Sequence, residues 1–217
     1  MNVREVMVYT RFERFWHWTQ VVLIFALLFT GFRIHGFYSL IDFQTAVTFH
    51  AIAAVGLVLL WIFTIFWHLT TGTWRHYVPS TDGLWRVAQF YAFGIFKGEK
   101  HPYRKAYWRK HNPLQAMTYL ALKIILFPVI WVSGIAYFLY FLWDNVGGSG
   151  ELLSYVGQIH TAVAFATVAF IIIHIYLFTT GHSFVEHVKP MVTGYDEVDL
   201  TPEEEAYLEQ DEPSHIR

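Results

Sequence analysis

The sequence predicts an all-α membrane protein, a four-transmembrane-helix bundle with its N- and C-termini cytoplasmic. Three observations carry that expectation. Of 217 residues, 55% are hydrophobic and only 15% charged, with mean hydropathy +0.35, whereas soluble domains carry roughly a quarter charged residues. Four apolar runs reach the ~20 residues that cross a bilayer. Lysine and arginine gather in the segments that the positive-inside rule assigns to the cytoplasm.

The elements follow in order. The lead MNVREVMVYTRFERF carries Arg4, Arg11 and Arg14 and lacks the pattern of a secretory signal. The first span covers about 16–37, the second 46–69, the third 113–143 and the fourth 155–180. Between the second and third lies a basic loop, 71–112, with Arg75, Arg86, Lys97, Lys100, Arg104, Lys105, Arg109 and Lys110. Its stretch GLWRVAQFYAFGIFKG reads as a short amphipathic helix lying flat on the inner interface. The connection after the third span, DNVGGSGELLS, has no lysine or arginine and is placed outside. The third span is long and holds Lys123, expected to snorkel, and Pro128, where a kink is expected. Residues 1–190 form the membrane domain, and 191–217 is an acidic cytoplasmic tail, expected to be solvated. No internal repeat is evident.

The absence of cysteine excludes thiol chemistry, iron–sulfur clusters held by this chain, and haem attached through Cys-x-x-Cys-His. Histidine is the remaining metal-binding type, and ionisable residues at membrane depth mark function. The candidates are His17, His35, His50, His68, His160 and His174. His160 and His174 are 14 residues apart. On a helix that is about 21 Å of rise and a rotation of about 40°, so both rings face one way, one near each surface. Two haem b groups stacked across a bilayer need that arrangement. Partners at matching depth are His50 with His160 outside and His17 with His174 inside. His17 sits between Trp16 and Trp18 at the edge of its span, and the tryptophans read as interface anchors. His68, 18 residues from His50 on one face, competes for the inner position; depth matching favours His17. His35 and His68 otherwise read as interfacial, water-facing side chains. Thr30-Gly31, Gly56, Ser133-Gly134 and Gly157 fit either a flat macrocycle against the backbone or tight helix packing. Arg33 is either a partner for a haem propionate or an interface anchor.

The pieces HWT at His17, FHAIAAVG at His50, FKGEKH in the basic loop, HNPLQ before the third span, QIHTAVAF at His160 and HIY at His174 occur in family order over about 5–190. With them the chain resembles the cytochrome b (gamma) subunits of membrane-bound formate dehydrogenase, in the group that includes nickel–iron hydrogenase and thiosulfate reductase subunits. The resemblance implies the same ligand pairs, His17–His174 and His50–His160. It also implies a menaquinone or ubiquinone site by the inner haem, formed from Asn112, Gln115 and His174, although Pro113-Leu114 departs from the small residues usual in that turn. Asn112 equally suits a helix N-cap ahead of Pro113.

The expected function is therefore a quinone-linked electron-transfer subunit of the bacterial cytoplasmic (inner) membrane, not an enzyme alone. Its expected partners are a periplasmic, outer-face iron–sulfur or multihaem subunit, the quinone and membrane lipids, with no nucleic acid. The alternatives are a stand-alone b561-type cytochrome acting on a soluble carrier or superoxide, and a haem-free transporter or scaffold.

Overall fold

The computed structural model describes residues 2–99, 102–103, 107, 110–179 and 184–217. Lys100, His101, Arg104, Lys105, Arg109 and Thr180, which the sequence reading used, lie outside the described residues. Strand β1 is Asn2–Met7, followed by helices α1 (Arg11–Ile34), α2 (Phe43–Thr71), α3 (Leu84–Ala92), α4 (Pro113–Ala121), α5 (Phe127–Phe138), α6 (Ser149–Phe178) and α7 (Phe184–Thr193). Strand β2 (Tyr195–Leu200) and helix α8 (Pro202–Asp211) complete the order. Four helical stretches are long and apolar enough to span a membrane, Arg11–Ile34, Phe43–Thr71, Pro113–Phe138 and Ser149–Leu177, with mean hydropathies of 1.5, 2.3, 2.0 and 1.9. Their outer faces stay apolar: Val22, Phe25, Leu59, Ile62, Ile172 and Ile173 are all exposed. A helix that is apolar all round suits lipid, because water would penalise that surface.

The helix starts are set by local hydrogen bonds. Thr10 Oγ1 accepts from the Glu13 N–H at 3.3 Å while Glu13 Oε2 accepts from the Thr10 N–H at 2.8 Å. This capping box starts α1 at Arg11, five residues before the expected span. Asn112 and Gln115 make the same reciprocal pair ahead of Pro113, at 2.9 and 3.1 Å. The third stretch is interrupted by a π-helical turn, Leu122–Leu126, just before Pro128. Proline has no N–H and its ring collides with the carbonyl four residues back, so a wider turn there relieves the helix. Lys123 sits on that turn and is exposed.

The chain forms two compact units. The first comprises Met1–Trp16, Trp67–Leu120 and Ile175–Arg217. Within it β1 pairs antiparallel with β2, from Asn2 opposite Leu200 to Met7 opposite Tyr195. One strand precedes the first long helix and the other follows the last, so their pairing puts both chain ends on one side, as an even number of crossings requires. The expectation of a solvated acidic tail is corrected here. Val198 and Leu200 alternate inward on β2 and join Val6, Tyr107 and Leu208 in a buried cluster. Thr201 and Glu204 form a third capping box ahead of α8, with Pro202 in its first turn. The tail folds because its few apolar side chains lie at strand and helix spacing.

The second unit comprises His17–Phe66 and Ala121–His174. Its helices lock through Trp61, whose indole N–H donates to Gln20 Oε1 at 2.9 Å and whose ring meets Phe127 and Trp131 at 4.4 and 5.0 Å. Gly56 lies against Leu23 and Gly157 against Tyr137, where an added Cβ would sit 3.6 Å from the neighbour in each case. These two glycines serve helix packing.

Candidate haem-binding site

The second unit brings His50 and His160 together, with ring centroids 6.3 Å apart and planes at 70°. A metal held between two imidazole nitrogens at about 2 Å each, with about 1.2 Å from nitrogen to ring centre, sets the centroids about 6.4 Å apart. The observed separation matches that of a single bis-imidazole metal site.

Each ring rests in a cradle on the neighbouring helix. Thr30 Oγ1 lies 2.9 Å from His50 Nδ1, and Ser133 Oγ lies 3.1 Å from His160 Nδ1. The next residue in each case is a glycine turned toward the ring. A Cβ on Gly31 would stand 3.5 Å from His50 Cε1, and one on Gly134 would stand 3.1 Å from His160 Cε1. Thr30-Gly31 and Ser133-Gly134 thus make room for imidazoles. Sequence reasoning had marked both pairs as porphyrin or helix contacts and had not connected them to the histidines.

His17 on α1 and His174 on α6 are both half-buried in the second unit. His17 Nδ1 is buried with no hydrogen-bond partner among the described residues, and His174 stacks on Phe170 with centroids 5.5 Å apart. The His50–His160 pair thus fits a haem iron held between two imidazoles. The orienting hydroxyls belong to the His50–His160 pair.

His35 is exposed, with Nε2 3.3 Å from Thr161 Oγ1. His68 is not water-facing as expected. It is 8% exposed and sits among Trp16, Trp67 and Tyr77, with ring centroids at 5.5, 5.1 and 5.3 Å. Aromatic side chains from two segments of the first unit close over it. Arg33 Nε donates to the Ile41 carbonyl and ties the turn between α1 and α2.

Asn112 and Gln115 belong to the first unit and His174 to the second. Asn112 is 7% exposed; its side chain caps α4 and its amide donates to Tyr91 Oη at 3.3 Å. The N-cap role is thus present, and it engages the oxygen of Gln115 but not its amide N–H groups.

The first unit also holds a buried acid–base cluster that sequence reasoning missed. Lys110 Nζ lies 2.6 Å from Glu13 Oε1, with side-chain exposures of 9% and 2%. Tyr77 donates to the same carboxylate, and burial with that negative neighbour holds its hydroxyl far above the usual phenol range. Burial, then the Lys110 charge, lowers the neighbouring His76 below its ordinary value.

Apolar helices carrying opposed, half-buried histidine rings fit a membrane cytochrome of the b type. Residues 8–194 match the profile of the family described as prokaryotic cytochrome b561, and the chain belongs to that family. It is 31% identical over 197 residues to a protein of Escherichia coli (strain K12) described as "Putative cytochrome YdhU", covering 88% of this chain and 74% of that one. The protein is a multi-pass membrane cytochrome that binds haem b.

Proposed function

We propose that this chain is the membrane diheme subunit of a respiratory oxidoreductase complex in the bacterial inner membrane. It passes electrons between an outer-face partner subunit and a quinone near the cytoplasmic face. The observation that carries this reading is that α6 carries His160, opposed to His50, and then His174, 14 residues along the same helix. That is about 21 Å of rise, most of the hydrocarbon thickness.

His50 and His160 hold the outer haem and His17 and His174 the inner one. Haem b supplies one-electron carriage at each position, and the chain supplies ligation, burial and hydrogen bonds that tune it. Arg33, beside the outer turn, is the candidate partner for a propionate. The quinone reading rests on the resemblance to formate dehydrogenase gamma subunits at HNPLQ. There the Gln115 amide N–H groups, not used in capping, are donors for a quinone carbonyl. The basic lead and loop place that end in the cytoplasm, the source of the protons a quinone takes up. Electrons entering outside and protons inside make turnover electrogenic, worth about 2.3 kcal/mol per charge per 100 mV.

The test has two arms. Reduced-minus-oxidised spectra with haem quantitation are expected to show two haem b per chain; one or none overturns the diheme reading. Mild solubilisation with identification of bound subunits is expected to recover an iron–sulfur or multihaem partner. A chain that purifies alone and exchanges electrons with a soluble carrier supports the stand-alone reading instead.

A further inference from the structure

We propose that Thr30 and Ser133 are positioning residues that set the tautomer of His50 and His160 and aim both Nε2 atoms at one iron. The proposal rests on the haem reading above and goes beyond it, because it concerns what lies behind the ligands.

The two cradles are built alike although they come from different helices and share no sequence beyond hydroxyl-then-glycine. Thr30 Oγ1 is 2.7 Å from the Ala26 carbonyl, and Ser133 Oγ is 2.7 Å from the Val129 carbonyl, each four residues back. A carbonyl can only accept, so each hydroxyl proton is committed to its own helix. The hydroxyl oxygen that then meets Nδ1, at 2.9 Å for His50 and 3.1 Å for His160, can only accept from the ring. Nδ1 therefore carries the hydrogen in both rings, and Nε2 keeps the lone pair that a metal needs. Gly31 and Gly134 let the rings settle close enough for these bonds. A ligand histidine that donates its second N–H is more basic and better oriented. Both ligands of the outer haem have this support, whereas His17 Nδ1 has no hydrogen-bond partner among the described residues. These bonds make His50 and His160 stronger donors, which favours the oxidised iron and lowers its potential relative to the same ligands without them.

The experiment uses full-length protein in detergent. Thr30→Val and Ser133→Ala remove the acceptor, while Thr30→Ser and Ser133→Thr restore it. Redox titration is expected to show the outer haem moving to higher potential in the first two variants, with the inner haem unmoved. Haem dissociation from the outer site is expected to be about 10-fold easier or more. The conservative variants are expected to recover the original potential. Nitrogen NMR of isotope-labelled histidine in the unaltered, haem-free chain reads the tautomer directly, with Nδ1–H expected at His50 and His160. An outer potential unchanged in both Thr30→Val and Ser133→Ala overturns the proposal. So does failure of the hydroxyl variants to restore it, or an Nε2–H tautomer at either histidine. Absence of any b-type band in the unaltered protein sinks the haem reading itself, a distinct result.

Discussion

Adding one methyl group at Gly134 is expected to weaken the His50–His160 site, whereas the same change at Gly31 is not. The new Cβ of Gly134→Ala falls 3.1 Å from His160 Cε1 and 3.5 Å from its Nδ1; in Gly31→Ala the corresponding distances to His50 are 3.5 and 3.9 Å. Carbon atoms rest at about 3.5–4.0 Å, so Gly31→Ala makes an ordinary contact and Gly134→Ala lacks about 0.5 Å. Overpacking of that kind costs about 1–3 kcal/mol. Alanine returns up to ~1 kcal/mol of helix propensity at either position. That gain is common to both variants, so Gly134→Ala is about 1–3 kcal/mol worse off than Gly31→Ala, a factor of about 5–150 in retention of the haem. His160 cannot retreat freely, because Ser133 holds its Nδ1. The assay is haem per chain after graded detergent dilution, with the low-spin EPR line of the outer haem as a second readout. If the two alanine variants retain haem equally, or Gly31→Ala is the weaker, the cradle geometry is wrong.

Other outcomes follow from the same coordinates. His160→Ala is expected to lose the outer haem and His17→Ala the inner one, while His68→Ala keeps both; two bis-imidazole signals surviving in His17→Ala but not in His68→Ala reverse the assignment. The Glu13–Lys110 pair is nearly dry, so removing either partner is expected to lower stability by about 3–5 kcal/mol, and Glu13→Gln/Lys110→Met by less than the sum; additive melting-temperature losses in detergent contradict that coupling. His76 has a lowered folded-state value owing to burial and Lys110, opposed by Glu13 and Glu212. The unfolded chain therefore binds its proton first, and the stability it contributes is complete above its ordinary 6.5 and lost as pH falls below it. Amide protection factors in the first unit are expected to fall over that window and to vary less in His76→Gln; an unchanged pH profile in the variant removes His76 as the cause.

The structure corrects the sequence reading where contacts, not local pattern, decide. His68 looked interfacial because it stands near the end of an apolar run, yet Trp16 and Tyr77, distant in sequence, cover it. The tail 191–217 looked solvated because glutamate dominates it, yet Val198, Leu200 and Leu208 find Val6 at the other end of the chain. One signal was readable and unused: T-R-F-E at 10–13 and T-P-E-E at 201–204 are both capping boxes.

By itself the sequence determined the four apolar spans and the shared face of His160 and His174. Span length and helical rotation are local properties, set by composition and by 3.6 residues per turn. Only the tertiary structure decided which oxygen meets which ring nitrogen, that glycines 31 and 134 make room for imidazoles, and that an acidic tail folds onto the first strand. Those outcomes depend on the close approach of helices and strands from distant parts of the chain, and a few tenths of an ångström at such contacts leaves no periodic mark in sequence.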